Sequence, residues 1–225
     1  MRNANKDAIQ KTKVAIIGAG FGGLAMAIRL LQSQINDFVI LEKTNDVGGT
    51  WRENQYPGAA CDVQSHMYSL SFAPKTDWSK RYAEADEIFT YIQDITEQYK
   101  LKDYCKFNHE VTHAQFDENR NVWTVEFKDQ PTLEAQFVIF ASGPLHVPQI
   151  PHIKGIEKFK GKVFHSSKWE HDYDLSGKSV ASIGTGGSAI QYIPEIAPEV
   201  KQLYVFQRTA AWVIPRDERK YSQLS

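Results

Sequence analysis

Lys13 to Glu42, KVAIIGAGFGGLAMAIRLLQSQINDFVILE, reads as a strand, a glycine turn, a helix and a second strand. Val14–Ile17 is a short apolar run suited to a buried parallel strand, and Leu24, Ile28 and Leu31 recur behind it at helical spacing. Gly18, Gly20 and Gly23 fill the G-x-G-x-x-G positions between the two. In that pattern the first glycine makes the tight turn, the second admits a pyrophosphate to the backbone, and the third lets the helix pack closely on the strand. The phosphates then sit at the helix N-terminus. Phe38–Leu41 is the next apolar strand, and Glu42 at its end stands 19 residues beyond the last glycine, where a ribose-binding acid belongs. A carboxylate accepts hydrogen bonds from a 2′-hydroxyl and repels a 2′-phosphate, so the ligand expected here is FAD or NAD, not NADP.

Beyond Glu42 comes KTNDVGGTWRENQYPGAACDVQSHMYSLSF, dense in glycine, aromatic and polar residues and without a helical or strand period. A loop of this length points to a binding surface, and Gly48 and Gly49 ahead of Trp51 would let backbone lie against a flat ligand. Between Ala83 and Tyr99, the residues Ile88, Ile92, Ile95 and Tyr99 mark an amphipathic helix. Val111–Phe116, Asn121–Phe127 and Leu133–Phe140 follow as an antiparallel three-strand meander, which runs into Ala141-Ser142-Gly143 and returns toward the first sheet. His109 and His113 are four apart but lack a Cys or carboxylate partner at ligand spacing, so no metal site is expected. Pro144, Pro148 and Pro151 mark a domain boundary, and the chain is loop-like through Gly177.

The cradle then recurs. Ser179–Ile183 reads as a strand, Gly184 and Gly186 open the turn, Ala189 takes the third glycine's place, Ile190 and Ile193 continue a helix, and Leu203–Phe206 is the next strand. From Gly18 to Glu42 is 24 residues, and from Gly184 to Arg208 is also 24, so Arg208 holds the position that Glu42 holds in the first unit. A guanidinium there suits a 2′-phosphate, which makes the second unit an NADP site and the first an FAD site. The expected fold is α/β: two Rossmann-like dinucleotide-binding domains, for FAD and NADP, the first with an inserted antiparallel β-meander and both incomplete on the C-terminal side. The expected boundaries are 1–143 for the FAD domain, 144–177 for a linker and 178–225 for the NADP domain.

The 225 residues suffice for one large domain or two small ones, and a formal net charge of −1 leaves no electrostatic footprint for nucleic acid. The first thirteen residues hold no long apolar stretch of a secretory signal, and no run approaches the about 20 apolar residues of a membrane span. Only Cys61 and Cys105 are present, without C-x-x-C spacing, which fits a reducing compartment and a cytoplasmic protein. The same spacing argues against a disulfide reductase, which needs a redox-active pair beside its flavin. Hydride passed from NADPH to FAD must then go to oxygen, a quinone or another acceptor.

Several stretches together resemble the class B flavoprotein monooxygenases, and among them the Baeyer-Villiger monooxygenases that turn ketones into esters or lactones. They are GAGFGG (18–23), GGTW (48–51), YPGAACD (56–62), YSLSF (68–72), ASG (141–143), GTGGSA (184–189), QRT (207–209) and FKGKVFHSSKW (159–169). The last is similar to that family's linker fingerprint F-x-G-x-x-x-H-x-x-x-W, matched by Phe159, Gly161, His165 and Trp169; Glu170 stands next, where the family has Pro or Asp. Within this resemblance Trp169 argues against the related N- and S-oxygenating flavin enzymes.

The resemblance implies FAD reduced by NADPH, a C4a-peroxyflavin formed with O2, and attack of that peroxide on a small-molecule ketone. It implies Asp62 as the catalytic carboxylate, oriented beside the flavin, and assigns His165 and Trp169 to coupling domain motion. With the two cradles, it gives a cofactor-binding set of Gly18, Gly20, Gly23, Glu42, Gly49, Thr50, Trp51, Asp62, Tyr68, Val111, Gly184, Thr185, Gly186, Gly187, Ser188, Ala189, Arg208 and Thr209. Members of that family are longer, and the expectation is a fragment that is inactive alone as an oxygenase. An N- or S-oxygenating monooxygenase and a non-catalytic FAD/NADP-binding remnant stay open as alternatives. Neither a membrane nor a nucleic acid is expected as a partner.

Overall fold

The computed structural model describes residues 9–145 and 147–221. In chain order its elements are β1 (Gln10–Ile17), α1 (Phe21–Gln32), β2 (Phe38–Leu41), a one-turn α2 (Thr50–Glu53), α3 (Ala85–Gln98), β3 (Cys105–Lys106) and β4 (Val111–Asp117). They continue with β5 (Val122–Phe127), β6 (Leu133–Phe140), β7 (Ser179–Ile183), α4 (Ala189–Ile196) and β8 (Gln202–Phe206). The chain divides into two compact units, Met1–Thr50 with Thr90–Pro144 and Trp51–Phe89 with Leu145–Ser225.

The first unit is built on a six-stranded sheet of order β3-β2-β1-β6-β5-β4. β3, β2, β1 and β6 run parallel, while β6, β5 and β4 are the antiparallel meander. The meander's last strand is therefore also a strand of the nucleotide sheet, paired with β1 from Gln10↔Leu133 to Ile17↔Phe140. This pairing explains why β1 starts at Gln10, ahead of the apolar run: Gln10, Lys11 and Thr12 find their ladder partners in Leu133, Glu134 and Ala135. The β4–β5 turn is held by Asp117, whose Oδ1 accepts from the N–H groups of Asn119 (3.0 Å) and Arg120 (3.1 Å).

Side-chain alternation sorts the core into faces. Ala15, Val39, Leu41, Val125, Leu133 and Ala135 form one buried cluster, with Ile17, Val111, Ala114, Phe127 and Val138 packed against it. α1 buries Gly23, Leu24, Ala27 and Ile28, and Ile16 of β1 is fully buried. In α3, Ile88, Ile92 and Ile95 are buried, so its expected apolar stripe is a core face.

In the second unit β7 and β8 pair in parallel, Ser179↔Gln202 to Ile183↔Phe206, with α4 between them in the chain. Tyr56, Ala59 and Ala85 form a buried cluster there, joined by Trp51, Trp169 and Tyr192. Residues expected as a loop without regular structure are held by backbone bridges, Ala60↔Glu84 and Leu70↔Ala73, and by a short 3-10 turn at Ser65–Met67.

Candidate functional site

The chain leaves β1 through α1 to reach β2 on one side and comes back as β6 on the other. That reversal opens a crevice at the carboxyl ends of β1 and β6, where open α/β sheets bind ligands. Gly18 lies there with φ +107°, and a Cβ on it would stand 2.5 Å from the Ala141 carbonyl oxygen. Only glycine fits between the two strand ends. A Cβ at Gly23 would stand 1.8 Å from the Gly18 oxygen, so the third glycine is what lets α1 start this close to β1. Gly20 faces Gly49, where a Cβ would come within 3.0 Å of the Gly20 Cα, and the Gly48 N–H donates to the Ala19 oxygen at 3.0 Å. The paired glycines ahead of Trp51 thus lie against the glycine turn.

Glu42 is buried at 7 % exposure at the end of β2. Its Oε2 accepts from the Ala19 N–H at 2.9 Å, and its Oε1 accepts from the Thr44 N–H (2.9 Å) and hydroxyl (2.8 Å). The carboxylate therefore fixes the middle of the glycine turn, and the one lone pair left on Oε2 is what a ribose hydroxyl would use. No acid lies in the first turn of α1, which leaves the helix's own N–H groups available to a phosphate at its N-terminus. Val111, the first residue of β4, packs on the apolar cluster below the sheet.

The second cradle has the same parts in a more open form. The Gly184 N–H donates to the Phe206 oxygen at 2.8 Å, closing the turn onto β8, and Thr185 Oγ1 donates to Gln207 Oε1 at 3.3 Å. A Cβ on Gly184, Gly186 or Gly187 would meet nothing within 4 Å, leaving their backbone accessible. Ser188 is the N-cap of α4, Ala189 is buried at its start, and its first turn carries no acid. Arg208 and Thr209 follow β8 directly and are exposed. Turn, helix start and guanidinium form a set that suits a 2′-phosphorylated dinucleotide.

In the YPGAACD stretch Asp62 is exposed, while its neighbour Cys61 is buried, and burial pushes that thiol up from 9.0. Thr50 begins α2; Trp51 donates through Nε1–H to the Tyr68 hydroxyl at 3.1 Å, and burial pushes the Tyr68 phenol up from 10.0, keeping it neutral. Sequence reasoning missed Gln191 of α4. Its Oε1 accepts from the Tyr56 hydroxyl (3.1 Å) and the Ala60 N–H (3.2 Å), and its Nε2–H donates to the Ala60 oxygen (3.0 Å). A polar residue in the first turn of a helix behind a glycine turn was the available signal.

A cleft of about 510 Å³ beside this stretch is lined by Trp51, Tyr56 and Phe89 but also by Glu84, Asp86 and Glu195, whose charge is unsuited to a dinucleotide's phosphates. In the fingerprint stretch the Phe159 ring lies over Gly161, where a Cβ would come within 2.5 Å of it. His165 Nδ1 accepts from the Ser167 N–H at 3.1 Å, capping the turn Ser166–Lys168. Trp169 stacks obliquely on Tyr192, with 5.2 Å between ring centroids, and takes Phe164 edge-on at 5.3 Å. Glu170 pairs with Lys162 at 2.5 Å, so the position where the sequence departs from the fingerprint has an ionic partner inside it.

Among the described residues no group of three or more His, Cys, Asp or Glu is placed to hold a metal, and no helix is long and apolar enough to cross a membrane. His109 donates through Nδ1–H to the Phe107 oxygen at 2.8 Å, and both cysteines are free.

Against this geometry stand the known proteins. A family model described as pyridine nucleotide-disulphide oxidoreductase matches residues 15–224. A Baeyer-Villiger monooxygenase of Streptomyces coelicolor is 48% identical over 213 residues, 95% of this chain and 41% of its own length. Among solved structures, oxidized steroid monooxygenase bound to NADP aligns with a TM-score of 0.88 at 38% identity, over 96% of this chain and 42% of that one. OTEMO in complex with FAD and NADP aligns with a TM-score of 0.89 at 35% identity, over 95% of this chain and 42% of that one. The chain spans about two fifths of the length of these relatives. It belongs to the pyridine nucleotide-disulphide oxidoreductase family and is similar to the N-terminal part of Baeyer-Villiger monooxygenases.

Proposed function

We propose that this chain supplies the FAD and NADPH cradles of a flavin monooxygenase that inserts one atom of O2 next to a ketone carbonyl. The observation that carries the reading is the pair of cradles in matching register with opposite charges, Glu42 in one and Arg208 in the other. The fit supports it: the first turn is shaped by close approaches that only glycine permits, and the second presents accessible backbone ahead of a helix without an acid in its first turn. Bound flavin would take hydride from NADPH and activate oxygen.

The chain's own residues have separate tasks in this scheme. Glu42 orders the first turn and takes the ribose of FAD, while Gly20 and Gly49 leave room for the pyrophosphate. Arg208 and Thr209 hold the 2′-phosphate of NADPH, and the start of α4 takes its pyrophosphate. Asp62 is the carboxylate assigned to the reacting end of the flavin, where it orients and charge-balances a cationic group. Trp169, packed on Tyr192 of α4, ties the fingerprint stretch to the coenzyme-binding helix. The two free cysteines fit a reducing, cytoplasmic setting.

NADPH oxidation by the full-length gene product, measured with and without ketones, tests the reading. Ketone-dependent consumption with ester formation is expected. Turnover confined to amines or sulfides would replace it with an N- or S-oxygenating enzyme, and a protein that oxidises no NADPH with any of these substrates would leave only a non-catalytic FAD/NADP-binding remnant.

A further inference from the structure

The Gln191 amide uses both of its ends on the backbone of one residue of a different segment: it accepts from the Ala60 N–H and donates to the Ala60 oxygen, and it takes the Tyr56 hydroxyl as well. Ala60 is buried, so removing the amide deprives these backbone groups of partners in a site with little access to water. The two segments also press together. Gly58 has φ +74°, and a Cβ there would stand 2.8 Å from Glu195 Cγ and 2.9 Å from the Gln191 backbone oxygen. Gln191 is in the first turn of α4, directly behind the glycine turn 184–187, and Ala60 is two residues ahead of Asp62.

We infer that Gln191 is a positioning residue that transmits coenzyme binding at the second glycine turn to the stretch carrying Asp62. A dinucleotide docking on the start of α4 loads this helix, and the three-bond amide clamp moves Ala60, and so Asp62, with it. Packing alone would not give this directional link, because the apolar contact of Ala59 with the Tyr192 ring has no fixed direction, whereas an amide paired to both backbone groups of one residue does. The inference rests on the assignment of NADPH to the second cradle and of Asp62 to the flavin.

Gln191→Met keeps the side chain's length and removes all three bonds, and Tyr56→Phe removes one. In the FAD-loaded full-length gene product, NADP+ affinity is read by titration and flavin reduction by anaerobic stopped-flow at saturating NADPH. For Gln191→Met the expected result is unchanged FAD content, an NADP+ Kd within about threefold of the parent, and a reduction rate lower by about 10- to 100-fold, as for a small misplacement of reacting groups. Tyr56→Phe should give a smaller loss in the same direction. A Gln191→Met protein that reduces its flavin at the parent rate, or that loses FAD, NADP+ affinity and rate together, overturns the inference. A parent that binds no NADP+ instead overturns the assignment of the second cradle on which it rests.

Discussion

The Glu42 carboxylate accepts a hydrogen bond from the Ala19 N–H at 2.9 Å, so the acid at the end of β2 holds the glycine turn at the end of β1. Its other oxygen is bonded twice to Thr44. Glu42 therefore has a structural task before any ribose arrives.

Glu42→Ala should leave the Ala19 and Thr44 N–H groups without their acceptor. A buried donor left unpaired costs about 1–3 kcal/mol, so the apoprotein should lose stability of that order in urea unfolding and also release FAD more readily. Unchanged unfolding with weakened FAD would show that the ribose contact is its whole contribution. Unchanged behaviour in both would remove Glu42 from the site.

Cys105 gives a pH-dependent test. Burial, with the Glu42 carboxylate nearby, pushes its thiol from 9.0 up to about 12. The folded state keeps this proton longer than the unfolded one, so its share of stability is intact below pH 9 and is lost as pH rises toward 12. At pH 8 iodoacetamide should leave native Cys105 unmodified and label it after unfolding, and Cys105→Ala should lessen the decline in stability above pH 9. Rapid native labelling, mapped by mass spectrometry, would contradict this.

Asp62→Ala should keep FAD bound but slow flavin reduction and oxygenation by at least about tenfold, because the residue is assigned to the reacting end of the flavin rather than to its ADP moiety. Stopped-flow traces of both half-reactions that match the parent would reduce Asp62 to a loop residue.

Local patterns made much of the fold legible. Val14–Ile17, the three glycines and the 3.6-residue stripe of α1 all point to one arrangement, and the meander announces itself by apolar runs broken at Asp117–Arg120. What escaped depends on distant chain. β3 is only Cys105–Lys106 and exists because it pairs with Ile40 and Leu41, with the Tyr104 ring stacked on Phe38 at 4.4 Å. The polar start of β1 is a strand because β6 lies beside it. The stretch from Trp51 to Phe72 has no period of its own and is held by bridges such as Ala60↔Glu84 and by Gln191, which lies 131 residues from Ala60. At the site, the glycines and the charged residue ending each cradle could be read from spacing. The amide clamp and the second task of Glu42 could not, since neither follows from a repeat.

That the first cradle takes FAD and the second NADPH is tested most directly by the Arg208→Ala protein, with flavin reduction followed in anaerobic stopped-flow against NADPH and NADH. Arg208, with Thr209 beside it, should hold the 2′-phosphate through charge-assisted hydrogen bonds, and losing them should weaken NADPH by about 10- to 150-fold. NADH lacks that phosphate and should be nearly unaffected. Equal losses for the two coenzymes would contradict the assignment, because Arg208 would then serve the fold or a pyrophosphate common to both.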